Sequence, residues 1–371
     1  MPKEPLALVS SDWHIRRADR IWYRRDEIYG DTGYSIDQIC KLADDYDVPC
    51  VIIAGDIFDL KLQQSDALRT MRLALDHFQE NNREVLYVQG QHEISTPPLL
   101  NAIHPWPEHI HKRTVTWAGY NLYGLDYCTP GAVEAELVTV PEGTDILVTH
   151  QVFKDFLGDK HGNAWLEWGF TNARMIITGD YHLTVVQTRD DAVSTLSPGS
   201  IVMQDISETP NKFVFILYDD LTVDTVPLRT RRYYEARIET EDALTEFIDA
   251  WQHHPARVPQ AGVPSNIATN LLRVRYRSDL PQAKRRLEAA IGTSAHLFTD
   301  AVRPAIPEQI TLEQERRVSA VLSGGLEGCI AEFYSEHPPV RDAAVRLART
   351  TDIQKELLAI YKELVRGNDS N

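Results

Sequence analysis

The sequence predicts an α/β fold: a parallel sheet with helices on its faces, then a small α+β unit, then a helical C-terminal segment. Three observations carry this expectation. Apolar β-type runs alternate with stretches of helical spacing at the start of the chain, in the order β-α-β-α-β. That order places the strands in parallel and the helices over their faces. Several of the apolar runs end directly in Asp, His or Gln (LALVSSDWH, VIIAGDIFD, VLYVQGQHE, ILVTH and MIITGDYH). In open α/β sheets, ligand groups gather at the carboxyl ends of such strands. Finally, composition shifts after Pro227, where a second strand–helix–strand–helix pattern begins.

Taken in order, residues 6–10 read as a short strand, and 12–33 as a long polar, Arg/Tyr-rich loop with some helix over the site. Residues 35–46 have helical spacing with Ser35 as N-cap. The central strand is 49–54, and 65–81 is amphipathic through Leu68, Met71, Leu75 and Phe78. The next strand is 84–88. The Pro-rich stretch 97–111 reads as irregular, and 114–118 with 121–125 as a hairpin about Gly-Tyr. Residues 145–149 and 175–178 are buried strands; between them 153–170, with Trp165 and Trp168, is an insertion close to the site. Runs at 184–188, 193–196, 212–217 and 221–226 alternate in a β manner. The small unit has strands at 233–238 and 270–276, helices at 242–251 and 280–290, and a Pro/Gly loop at 255–264. From residue 310 the chain is helical, and Ile353, Leu357, Ile360, Tyr361 and Leu364 form one apolar face of the last helix.

A chain of 371 residues holds two or three domains, and a hydrophobic fraction of 43% supplies an ordinary core. No apolar run reaches the ~18 residues of a membrane span, and the start of the chain lacks the pattern of a signal peptide. Cys40, Cys50, Cys128 and Cys329 are far apart, without metal-binding spacing, as expected of thiols in a reducing cytoplasm. A net charge of −16 argues against gripping nucleic acid with the whole surface. It leaves room for a local basic face. Arg16, Arg17, Arg20, Arg24 and Arg25 cluster just after Asp12 and His14; smaller clusters are Arg229, Arg231 and Arg232, and Lys284, Arg285 and Arg286.

The chemistry lies at the strand ends. A strand-end carboxylate can accept a metal bond from two directions, so Asp56 is a candidate bridge between two cations. The companion candidates are Asp12, His14, Gln91, His92, His150, Asp180 and His182. Two ions about 3.5–4 Å apart clamp the attacking and leaving oxygens of a phosphoryl displacement. Asp, His and an amide oxygen suit Mn²⁺ or Fe²⁺, with Mg²⁺ disfavoured by the imidazoles. The set has no thiolate, which counts against structural zinc.

The motif order D-x-H, G-D-x-x-D, G-Q-H-E, T-H, G-D-x-H resembles the calcineurin-like metallophosphoesterases, whose pattern is D-x-H, G-D-x-x-D, G-N-H-[DE], H, G-H-x-H. The resemblance spans residues 6–199. It implies a metallophosphoesterase β-sandwich flanked by helices. It also implies one metal on Asp12, His14, Asp56 and His182, and a second on Asp56, Gln91, His150 and Asp180. His92, backed by Glu93, would face the phosphate and help the leaving oxygen; Asp59 would orient a ligand. Gln91 stands where the family has Asn, and Asp180 where it has His. Both departures fall on the second metal: Gln offers the same amide oxygen from one methylene further out, and Asp adds charge that favours a hard ion.

The segment Leu196-Ser197-Pro198-Gly199-Ser200, followed by Ser207-Glu208, is similar to one in the SbcD-type DNA-repair nucleases. That resemblance implies a nuclease domain at 1–228, a DNA-binding capping domain at 229–303, and a helical segment at 304–371 that docks on the coiled coil of an SMC-like ATPase of SbcC type. The implied activity is a Mn-dependent DNA exonuclease/endonuclease subunit for DNA end processing and recombination. It would carry two Mn ions (alternatively Fe or Mg) and act as a homodimer within the complex, in the cytoplasm of a bacterium or phage-infected cell. Size and the Arg-rich insertion look most like phage recombination endonuclease subunits. Two other readings compete: a small-molecule phosphodiesterase of the same superfamily, and a catalytically weak architectural subunit bridging DNA ends and an ATPase.

Overall fold

In this computed structural model the described residues are 3–15, 30–59, 65–154, 173–188 and 194–303. Among them, twelve strands form two sheets of six. They are β1 (Pro5–Ser10), β2 (Cys50–Ala54), β3 (Glu84–Val88), β4 (Glu108–His109), β5 (Thr114–Trp117), β6 (Tyr120–Leu125), β7 (Ile146–His150), β8 (Met175–Gly179), β9 (Val185–Thr188), β10 (Ser194–Ser197), β11 (Lys212–Tyr218) and β12 (Val223–Leu228). The first sheet has the order β12-β11-β1-β2-β3-β4, and the second β5-β6-β7-β8-β10-β9. Within them β1, β2 and β3 run parallel, as do β6, β7 and β8.

The two-residue period of the strands explains the layering. In β2, Cys50, Ile52 and Ala54 point between the sheets, where Ile146 and Val148 of β7 and Met175 and Ile177 of β8 meet them. Val51 and Ile53 point the other way, into a core with the helices α1 (Asp31–Asp45) and α2 (Ser65–Glu80). On the far face of the second sheet, Leu147 and Ile176 pack with Val133 and Leu137 of α4 (Val133–Leu137). Strands covered on both faces carry unbroken apolar sequence, as β2, β7 and β8 do. The result is a mixed α/β sandwich flanked by helices. No helix among the described residues is long and apolar enough to cross a membrane.

Several expectations change. The first helix begins at Asp31, so Ser35 lies inside it, and its hydroxyl donates to the Ile201 carbonyl (3.0 Å) instead of capping. Gly30 takes the preceding position with φ +93°, a backbone state that suits glycine. The stretch 97–111 holds a short helix, α3 (Leu99–Ile103), and the strand β4. The Arg16–Arg25 cluster, Trp165, Trp168 and the apolar face from Ile353 to Leu364 lie outside the described residues.

The smaller unit is β13 (Tyr233–Ile238), α5 (Glu241–Ala250), β14 (Leu271–Arg277), α6 (Ala283–Ile291) and β15 (His296–Val302). The three strands are parallel in the order β13-β14-β15, and β15 is an addition to the expected pattern. Both helices cover one face, through Leu244, Leu287 and Ile291 against Leu272, Val274 and Leu297. On the opposite face Leu271 and Phe298 pack on Met203 and Ile206 of the sandwich.

Candidate metal centre

Parallel strands deliver their C-terminal ends to one edge, and here the ends of β1, β2, β3, β7 and β8 converge. The loop after β1 is fastened to the loop after β2 by Asp12 N–H to Gly55 O (3.0 Å), His14 N–H to Asp56 O (2.9 Å) and Ile15 N–H to Ile57 O (2.9 Å). Asp12, His14, Asp56 and Asp180 all have positive φ, between 46° and 70°. Such strain is of order 1–3 kcal/mol per residue and persists where surrounding structure over-determines it, often at functional sites. Gly90 allows the closest approach: a Cβ there would run into Asp56.

Asp56 is the hub. Its Oδ2 lies 3.3 Å from His150 Nε2, 3.7 Å from His14 Nε2 and 3.8 Å from His92 Nε2. Its Oδ1 accepts the His92 N–H (3.0 Å). Asp12 Oδ1 lies 3.8 Å from His182 Nε2 and 3.9 Å from His14 Nε2, and accepts the Asp180 N–H (3.1 Å). His14 Nε2 and His182 Nε2 face each other at 3.1 Å. Among the described residues, three groups of side chains therefore bring ligand atoms within 4.8 Å of one another: Asp12, His14 and His182; Asp12, Asp56 and His150; and His14, Asp59 and His92.

The imidazoles are oriented from behind. His150 Nδ1 donates to the Ala54 carbonyl (2.6 Å), His182 Nδ1 to Glu208 Oε1 (2.8 Å) and His92 Nδ1 to the Asp59 carbonyl (2.8 Å). Each bond fixes the tautomer and leaves Nε2 facing inward, the usual arrangement of a metal-ligating histidine. Burial opposes charge on His150, but Asp56, Asp12 and Asp180 outweigh it and raise its pKa well above the ordinary value. Burial likewise pushes the Asp56 carboxyl up, and the surrounding imidazoles His150, His14 and His92 win, holding it far below the carboxylate range. Asp180 is raised by burial first, then by Asp12 and Asp56.

Cation chemistry fits these residues. Asp12 Oδ2, Asp56 Oδ2, Gln91 Oε1 and His150 Nε2 are buried and have no hydrogen-bond partner among the described residues. Unmet buried polar atoms are expensive, more so when charged. Carboxylate oxygens, an amide oxygen and imidazole nitrogens aimed at one another are a donor set for a divalent ion. One side stays open, where His92 and His182 are each about a third exposed (35% and 30%).

The strand-end residues expected from sequence, Asp12, His14, Asp56, Gln91, His92, His150, Asp180 and His182, are brought together, with Asp59 beside His14 (3.5 Å). The two departures from the family pattern touch: Gln91 Nε2 donates to Asp180 Oδ1 (2.8 Å). Asp180 belongs to none of the three groups. Glu93 does not back His92; its carboxylate accepts the Gly90 N–H (2.9 Å) and the Phe58 N–H (3.3 Å), tying the β2 and β3 loops together. Glu208 was legible only as part of a segment. Its bond to His182, and the buried Lys212 that pairs with it (2.8 Å), are contacts across 26 and 4 positions with no sequence pattern to announce them.

No protein-family model matches the chain, and no curated protein matches it by sequence. Solved structures similar to it include an archaeal phosphodiesterase with TM-score 0.36 and 15% identity, covering 60% of this chain and 99% of that one. A protein of Thermus thermophilus has TM-score 0.38 and 14% identity, covering 61% of this chain and 100% of its own. A dimetal phosphatase of Danio rerio has TM-score 0.40 and 12% identity, with the same two coverages of 61% and 100%. Likeness at this level leaves function to be argued from the side chains.

Proposed function

We propose that this chain is a metal-dependent phosphodiesterase acting on DNA, a nuclease subunit of the SbcD type with Mn²⁺ as its working ion. The observation that carries the proposal is the set of buried ligand atoms on Asp12, Asp56, Gln91 and His150 that have no hydrogen-bond partner among the described residues, at the same edge of the sandwich as His14 and His182. Asp12, His14, Asp56 and His182 would hold one cation, and Asp56, Gln91, His150 and Asp180 a second. When bound, the pair supplies Lewis acidity and positive charge to an in-line displacement at phosphorus. His92 is held by its Nδ1–H on the Asp59 carbonyl, which leaves Nε2 facing the substrate; as the imidazolium it would pass the Nε2 proton to the leaving sugar oxygen and return to the neutral Nδ1–H form. Glu208 holds His182 in register, and Lys212 balances Glu208. The motif order supports phosphoester hydrolysis, and the Leu196–Ser200 segment supports DNA as substrate. The proposed partners are DNA and an SMC-like ATPase, bound through 229–303 and 304–371.

The test is cleavage of linear duplex and single-stranded DNA with Mn²⁺, with and without the ATPase, beside bis(p-nitrophenyl) phosphate. DNA cleavage supports the proposal. Turnover of the small ester alone makes the chain a small-molecule phosphodiesterase. DNA binding without any hydrolysis makes it architectural. The Gln91–Asp180 bond favours testing Asp180→His alongside: if Asp180 is a ligand, His should lower Mg²⁺-supported activity relative to Mn²⁺.

A further inference from the structure

Beside the proposed catalytic centre lies an open cleft of about 460 Å³, lined by residues that the reaction above does not use. One wall carries His109 and His111, whose rings are stacked with centroids 5.9 Å apart and planes at 12°. The buried Tyr87 backs them, stacked on His109 at 5.1 Å and 28°. Asp126 fixes both imidazoles. Its carboxylate accepts from His109 Nε2 (2.8 and 3.0 Å), and its backbone N–H donates to His111 Nδ1 (2.9 Å). The His111 proton therefore sits on Nε2. The ring ends the stack with 36% of its side chain exposed.

The cleft is keyed to the catalytic edge. Asp126 accepts the Gln89 N–H (2.7 Å) and the Gln89 side-chain amide (3.2 Å), and Gln89 is two residues before Gln91. Tyr127, also lining the cleft, donates its N–H to the Gln89 carbonyl (2.8 Å), and its ring lies 6.4 Å from that of His150. Ile94, 38% exposed, and Pro98 add apolar surface, and Lys112, paired with Glu136 (2.7 Å), adds a cation.

We propose that this cleft is a nucleobase subsite, in which the base of a nucleotide next to the reacting phosphate stacks on His111. A flat heteroaromatic ring is the ligand that extends a pre-oriented π stack, and every base has such a face, so the site reads no sequence. The placement next to the reacting phosphate rests on the phosphodiesterase reading; binding of the base does not.

The test compares His111→Leu with His111→Phe. Both fill the space of the imidazole and both lose the bond from Asp126 N–H, so only stacking separates them. The first readout is titration of metal-free protein in EDTA with deoxyadenosine 5′-monophosphate. The second is KM and kcat on single-stranded DNA with Mn²⁺. Leu should weaken nucleotide binding and raise KM by about five-fold or more, the lower end for one stacked base, with kcat little changed; Phe should stay near wild type. An oligonucleotide with an abasic residue beside the cut should show no difference between them. In the wild type, nucleotide should shift the His111 ring proton resonances upfield, a readout that survives if either variant fails to fold. Equal behaviour of Leu and Phe, or no shift at His111, overturns the subsite. If the wild type binds the nucleotide through His111 but cuts no DNA, the subsite stands and the nuclease reading falls. Cleavage without any role for His111 gives the reverse.

Discussion

Asp56 receives one backbone N–H on Oδ1 and faces three imidazoles with Oδ2. Asp56→Asn keeps the shape and the Oδ1 acceptor but removes the charge and one ligand atom. It should abolish calorimetric binding of at least one Mn²⁺ and cut turnover by more than ~10²-fold, while far-UV circular dichroism stays at wild type. Activity above about a tenth would sink the bridging role. A second residue-scale prediction concerns Cys40. Burial, then Asp37 and Asp44, push its thiol up to about 12. The thiolate is the reactive form, so a raised pKa depletes it at every pH below that value. Labelling of Cys40, mapped by peptide mass, should keep rising tenfold per pH unit through pH 9; a plateau near the ordinary value of 9 would show an open thiol. Most residues of the candidate site were legible as candidates because each lies at or shortly after the end of a buried strand. Glu93 was misread because the nearest neighbour in sequence, His92, is not what its carboxylate meets. Glu208 and His111 act through partners that only the folded chain brings near.

Among the elements, α1 does more than cover the first sheet. Its first residue, Asp31, accepts two hydrogen bonds from Arg231, at 3.0 and 2.8 Å, just ahead of β13. Arg231 also donates to the carbonyls of Thr269 (2.8 Å) and Asn266 (3.1 Å), and both charged side chains are buried (1% and 6% exposed). Gln38, two helical turns further along, and Arg229 exchange side-chain-to-backbone bonds in both directions. Together these bonds fasten the three-stranded unit to the sandwich. Truncating one side of a buried, hydrogen-bonded charge pair typically costs about 3–5 kcal/mol. Asp31→Ala should therefore lower the denaturant midpoint and admit protease near residue 229, whereas Lys41→Ala on the exposed side of the same helix should do neither. Equal protease resistance in the two variants would mean that the apolar contact of Leu271 and Phe298 with Met203 and Ile206 holds the joint unaided. Sequence periodicity located this helix but not its start. Ser35 is a good capping residue type, and the spacing alone could not show that its hydroxyl is taken by Ile201 across the chain. Nor could it show that Asp31 is required at the first turn by a residue 200 positions away.

At the scale of the whole molecule, the central strands were legible because both their faces are buried, which writes apolar runs into the sequence; that they divide into two sheets was implied only by the family resemblance. That their ends gather at one edge was expected, but no local pattern gives the contacts there, such as the Asp180 N–H after β8 on Asp12 after β1. That convergence gathers Asp12, Asp56, Asp59 and Asp180 in a chain already at net charge −16. The folded state holds these carboxylates close together and the unfolded chain lets them separate, so a cation that binds only the fold is linked to stability. One ion at 100 times its dissociation constant adds about 2.7 kcal/mol. At about 2.1 cal/mol/K of unfolding entropy per residue, a 371-residue chain turns that into a rise in melting temperature of roughly 3–4 °C. Thermal melts with excess Mn²⁺ should shift upward by that amount and return with EDTA. Mn²⁺ should move the melt of Asp56→Asn far less, because that variant has lost the shared ligand atom. Ca²⁺ provides the control: it carries the same charge but favours all-oxygen coordination, so it should shift the melt less than Mn²⁺ at a site rich in imidazole. Equal shifts for the two ions, retained in Asp56→Asn, would mean that divalent charge screens the surface at large and that the strand ends hold no specific cation.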